Sequence, residues 1–175
     1  MEIRDVTAAD EPAVEQFVAR IPEGDRTFFK EDVNGTDVVA FWRRRGGRTT
    51  IAIAEGEVVG YGAVIPLQGW SSHVGEVRVI VDPEARGHGV GRALARGAVI
   101  ASLELGLTKL VVEVMADQEV TIAMFRSLGF DPEALLEDHV RDQAGELHDL
   151  MILSHSVEES MASMQSTGIA DGLSG

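Results

Sequence analysis

The stretch Val77-Arg78-Val79-Ile80-Val81-Asp82-Pro83-Glu84-Ala85-Arg86-Gly87-His88-Gly89-Val90-Gly91-Arg92 constrains this chain more than any other. Its β-branched first half reads as a strand over 74–81, stopped by Asp82-Pro83 because proline has no amide hydrogen for a ladder. Glycines then open a long helix to about Gly106, with Val90, Leu94, Ala98, Ala101 and Leu105 as its apolar stripe. A helix N-terminus offers amide hydrogens without carbonyl partners and about half a positive charge, so it attracts anions. Glycine removes the Cβ that would hold a phosphate off the backbone, and it permits positive φ. The turn therefore suits a diphosphate, with a purely structural β–α connection as the simpler alternative.

Spacing narrows the choice of diphosphate. No Gly-Lys-Ser/Thr follows the glycines, so the Walker pattern fails. Gly87, Gly89 and Gly91 stand two apart where the dinucleotide fingerprint wants Gly-x-Gly-x-x-Gly, and several strands precede them.

The flanking pattern predicts a mixed α/β (α+β) sheet with helices around it. A strand at 1–6 leads into a helix over about 8–20, with Thr7 and Asp10 as a capping box. Residues 22–36 read as a loop and 37–45 as a short helix. Strands 49–54 and 57–65 are joined by Glu55-Gly56 as a hairpin. A near-continuous apolar strand at 110–115 implies burial on both faces. Asp117 is expected to cap a helix through Leu128, and 134–141 and 147–154 form a terminal strand pair. Runs of adjacent strands favour hairpins over a doubly wound parallel sheet. One domain over 1–155 is expected, with 156–175 as a loose tail.

Charge and composition exclude several classes. The net charge is −14, and from residue 111 onward 13 acidic residues meet only Arg126 and Arg141. Such a surface repels nucleic acid and steers cationic amines inward; a solvated acidic exterior is the plainer reading. No apolar run reaches the ~20 residues a membrane span needs, so no membrane partner is expected. Zero cysteines leave no disulfide, thiolate metal site or Cys nucleophile, and the five histidines have no metal spacing. A cytoplasmic, metal-free protein is expected.

Arg86-x-x-Gly89-x-Gly91 after Val79-Ile80-Val81-Asp82-Pro83 resembles the coenzyme A signature of the GNAT superfamily of N-acetyltransferases. Gly106 to Val114, followed by Phe125-Arg126-Ser127-Leu128-Gly129-Phe130, is similar to that family's next strand and the helix closing in Leu-Gly-Phe. The resemblance covers about 50–154. It implies acetyl-CoA as co-substrate, in a gap where strands 74–81 and 109–115 splay apart. Backbone groups of Val79, Ile80 and Val81 would then hold the pantetheine arm, and the loop Arg86, Gly87, His88, Gly89, Val90, Gly91 and Arg92 the pyrophosphate. It also leaves a homodimer open, since the family's sheet edges often pair.

Acyl transfer to an amine needs a base for the amine, a donor for the departing thiolate and support for the oxyanion. Glu113 sits mid-strand in an apolar run, where a carboxylate is costly unless partnered or facing a cavity; several members of the family carry a base there. Glu76, whose parity groups it with Arg78 and opposite Val77 and Val79, is the rival. For both, a salt-bridged strand carboxylate is the ordinary alternative. Phe125 stands where many members have an acid Tyr, and Gln118 where an Asn is frequent. The sole tyrosine, Tyr61, belongs to another strand.

The expectation is an N-acetyltransferase moving an acetyl group to a primary amine: a protein lysine, an N-terminus or a small cationic amine. Phe125 motivates the alternative, a non-catalytic acyl-CoA-binding module; a partner-binding domain with a structural glycine turn is the third. Arg43, Arg44, Arg45 and Arg48 read as a surface helix end before they read as a 3′-phosphate site. Phe28, Phe29, Phe41, Trp42 and Trp70 read as core before acceptor wall, and His139 and His148 as structural.

Overall fold

The computed structural model describes residues 1–22, 25 and 46–157. Seven strands form one sheet in the order β1-β2-β3-β4-β5-β7-β6. They are β1 (Glu2–Asp5), β2 (Arg48–Ala54), β3 (Glu57–Pro66), β4 (Val74–Val81), β5 (Lys109–Met115), β6 (Asp131–Arg141) and β7 (Leu147–Ser156). Among these strands only β4 and β5 run parallel. The helices are α1 (Glu11–Arg20), α2 (Val90–Glu104) and α3 (Glu119–Arg126). The mixed sheet expected from the alternating strand and helix patterns is therefore present.

Local chemistry sets the elements. Before α1, the Asp10 carboxylate accepts the Thr7 amide at 2.8 Å and the Thr7 hydroxyl at 2.7 Å, the anticipated box. Regular α-helix starts only at Glu11, after a 3₁₀ turn. Glu55 and Gly56 take φ of 53° and 86°, the paired positive values of a tight hairpin turn. Gly106, at φ 67°, ends α2 in the left-handed position.

Each sheet face has its own core. Val14 and Phe17 of α1 pack on Ile51, Tyr61, Ala63, Ile65 and Ile80. On the other face Ala95, Ala98 and Ala101 of α2 and Phe125 of α3 pack with Val64, Val77, Val112, Val114 and Leu153. A Cβ on Gly60 of β3 would lie 2.9 Å from both Leu94 Cδ1 and Val90 Cγ1. That bare position lets the first turns of α2 settle close to the sheet, which fixes where its N-terminus points.

Three details differ from expectation. Gln118, and not Asp117, occupies the N-cap of α3; the Asp117 carboxylate instead lies 3.6 Å from His148 Nδ1. Trp70 is 97% exposed, because it sits in a 3₁₀ turn between β3 and β4 beyond the edge of either core. The last strand runs on to Ser156, and Val157 is buried with its amide bonded to the Thr108 carbonyl at 3.0 Å. The expected 37–45 helix, Phe28, Phe29, Phe41, Trp42 and Arg43 to Arg45 lie outside the described residues, as does the tail from 158. Arg48 pairs with Asp5 at 2.7 Å and with Glu104, at the C-terminal end of α2.

Candidate active site

The parallel pair supplies the opening. Val74, Gly75 and Glu76 pair with Lys109, Leu110 and Val111, and the ladder ends there. Beyond it, Val77–Val81 and Val112–Met115 line the two sides of a cavity of about 1030 Å³. That is at the upper end of small-molecule sites, enough for a long, bent ligand.

One end of the cavity is the glycine turn. Gly87 and Gly89 have φ of 78° and 80°, the left-handed region that explains why glycines stand there. The first bond of α2 runs from the Ala93 amide to the Gly89 carbonyl at 3.0 Å. The amides of Val90, Gly91 and Arg92 thus precede the helical ladder. A Cβ on Gly91 would stand 3.5 Å from Val81 Cγ2 and from Met124 Sδ, inside space the bare residue leaves open. Arg86, Gly87, Gly89, Val90, Gly91 and Arg92 all line the cavity. The Arg86 guanidinium donates to Asp25 at 2.9 Å, tying the segment after α1 to the turn. His88 is exposed and outside the lining; its Nδ1 lies 2.9 Å from the Arg86 carbonyl. A pyrophosphate fits this turn: unladdered amides, no Cβ in the way, and two arginines.

Strand register sorts the carboxylates. Glu76 and Arg78 oppose Ile65 and Ala63, so they face α1, as does Glu113 two residues beyond Val111. Glu113 lines the cavity and is half-buried. Glu76 is buried and outside the lining; its Oε1 lies 3.0 Å from Arg78 Nε. Val79, Ile80 and Val81 all reach the cavity.

The far wall comes from α3 and the last hairpin. Gln118, Thr121, Met124 and the buried Phe125 line it from α3. Phe125 meets Phe130 edge-on, 5.2 Å between centroids, with no polar atom to offer. His139, Arg141, Asp142 and Gln143 line it from β6 and its turn, and were not anticipated there. Between the pairs Leu136↔Leu150 and Val140↔His148, β6 carries three residues against Asp149 alone. This bulge, with Asp138 at φ 50° and its amide on Asp149 Oδ1 at 2.9 Å, brings His139 to the cavity wall. The signal available in the sequence was Glu137-Asp138-His139, three polar residues that interrupt a strand's alternation. His148 is instead engaged by Asp142 at 3.0 Å. Hydrogen bonding to Asp142 raises the imidazole's pKa against its loss of hydration, and the charges of Asp142, Asp117 and Glu146 add to the rise. Asp142, Glu146 and His148 bring ligand atoms within 4.8 Å of one another, a grouping no spacing rule had suggested.

The acetyltransferase (GNAT) family model matches residues 13–130, which span the opening, the glycine turn and α3. The chain belongs to that family. It is 27% identical over 135 residues to the uncharacterised N-acetyltransferase YjgM of Escherichia coli, covering 74% of this chain and 81% of YjgM. It is 40% identical over 80 residues to mycothiol acetyltransferase of Paenarthrobacter aurescens, but spans only 25% of that protein. YncA of Salmonella typhimurium, solved with its cofactor acetyl-CoA, superposes with TM-score 0.74 at 20% identity, covering 90% and 94% of the two chains. This family member is thus an acetyltransferase of the GNAT fold. No helix among the described residues is long and apolar enough to cross a membrane.

Proposed function

We propose that this acetyltransferase moves an acetyl group from acetyl-CoA to a primary amine by direct attack while both are bound, with Glu113 as the base. The observation that carries this reading is the gap beyond Glu76↔Val111. It joins the glycine turn to Glu113, a half-buried strand carboxylate, within one cavity. When bound, acetyl-CoA supplies an acetyl group activated as a thioester. The amides of Val90, Gly91 and Arg92 hold its pyrophosphate, with Arg86 and Arg92 beside it. Backbone groups of Val79, Ile80 and Val81, freed from β5, support the pantetheine arm and the developing oxyanion. Glu113 takes the proton of the incoming ammonium, directly or through one water. Phe125 keeps the α3 side apolar, and the thiolate regains its proton from water or another protic wall group. A thiolate is a tolerable leaving group, so the missing phenol slows the reaction without preventing it.

Thiol release from acetyl-CoA across a panel of amines tests this function. Turnover on at least one amine that collapses in Glu113→Gln supports it. Saturable acetyl-CoA binding with no turnover on any amine would return the chain to the binding-module alternative.

A further inference from the structure

The charge inside the cavity differs from the charge outside it. The chain has 29 acidic residues against 15 basic ones, yet the described cavity lining holds Arg78, Arg86, Arg92 and Arg141 against Asp25, Glu113 and Asp142. Asp25 and Arg86 engage each other, Arg78 is paired with Glu76, and Asp142 is engaged by His148. Away from the glycine turn, the strand charges at the cavity are Arg141, at the end of β6, and, on the parallel pair, Arg78 and Glu113. Continuing the β4–β5 register from Glu76↔Val111 brings the latter two to one level on the same face, across the opening. Arg78 is only 8% exposed, and Glu76 beside its Nε sets the orientation of the guanidinium.

We infer that the acceptor is an amino-acid-like zwitterion, whose carboxylate is recognised by Arg78 while its ammonium faces Glu113. This rests on the acetyltransferase reading and names its substrate class. A guanidinium matches a carboxylate in shape, with parallel N–H donors in a rigid plane. Glu76 offsets part of the Arg78 charge, so the preference rests on the directional N–H donors that a carboxylate matches and a purely cationic amine does not. Exterior acidity steers approach from solvent; the wall decides what stays.

The test uses matched compounds that differ only in the anion. Glycine, β-alanine, methionine and phenylalanine are each compared with their primary amides, and spermidine serves as a cationic amine. Thiol release and calorimetric binding to the coenzyme A-loaded protein are both measured. The acids should exceed their amides by about tenfold or more in kcat/KM and in affinity. Arg78→Gln should erase that preference while acetyl-CoA affinity holds. Because Arg78→Gln leaves Glu76 buried beside a neutral partner, Glu76→Gln/Arg78→Gln is the second variant and should erase it equally. Amides or spermidine serving as well as the acids would overturn the inference and leave the acetyltransferase reading standing; so would a preference that survives both variants. Thiol release on no amine would break the acetyltransferase reading instead. The binding arm then decides alone: acid-over-amide affinity lost in both variants supports the carboxylate site, and equal affinity for both forms overturns it.

Discussion

The two ends of the cavity are built in different ways. The β4–α2 turn is a backbone site: three amides ahead of the helical ladder, two glycines at positive φ, and arginines at its rim. The β6–β7 end is a side-chain site, where a bulge delivers His139 and the strand end and turn deliver Arg141, Asp142 and Gln143. Between them stand Arg78 and Glu113, on strands that touch only over three residue pairs. A group read by amides tolerates any side chain that stays out of the way. A group read by side chains changes with each substitution. One end can therefore serve a shared donor while the other is free to suit a particular acceptor.

The comparison breaks most visibly at its middle. Glu113→Gln should lower kcat/KM by about 10² to 10³-fold at neutral pH, with acetyl-CoA affinity by calorimetry unchanged. An unaltered rate would move the proton to Glu76 or to water. Next in size is the backbone end. Gly91→Glu places a charged side chain between Val81 and Met124 and should weaken acetyl-CoA binding by roughly 100-fold. Gly97→Glu, farther along α2 where a Cβ meets nothing within 4 Å, should leave binding alone. Equal losses at both positions would show a helix effect and no pyrophosphate site.

The closed half of the strand pair gives a stability contrast. A Cβ on Gly75 would lie 2.6 Å from Leu107 Cδ1 and 3.0 Å from Leu110 Cδ2. Gly75→Val should cost about 1–3 kcal/mol in urea denaturation, whereas Gly91→Glu at the open half should cost less. Phe125→Tyr should raise kcat by up to about tenfold if thiolate protonation limits the rate. An unchanged kcat in deuterated and ordinary water would place the limit elsewhere.

The smallest effect belongs to the side-chain end. His148 is raised above its ordinary value chiefly by its hydrogen bond to Asp142. A raised folded-state pKa means the pair stabilises fully below the unfolded value near 6.5 and is lost as pH climbs through the folded value. The stability gap between wild type and His148→Gln should thus be wider at about pH 5.5 than at about pH 9. A gap that widens with pH would reverse the assignment.

Much of this was legible locally. Asp82-Pro83, the glycines at 87, 89 and 91, and the apolar stripe of α2 are signals carried in one continuous stretch, residues 82–105, and the proline and glycines act through backbone geometry that neighbours cannot easily override. Glu113 was conspicuous because a carboxylate in an apolar strand is expensive. Trp70 misled for the opposite reason: a large aromatic suggests a core, but a turn between strands had no layer to cover it.

The sequence alone determined the strand–turn–helix unit and the glycine turn proposed to hold the coenzyme, since a chain fixes its own φ values and amide directions over short spans. Only tertiary structure decided that β4 and β5 part after Glu76 and Val111, that Arg78 and Glu113 line one cavity, and that His139 joins the wall. Those facts depend on register between distant strands, and a shift of one residue would turn every side chain to the other face.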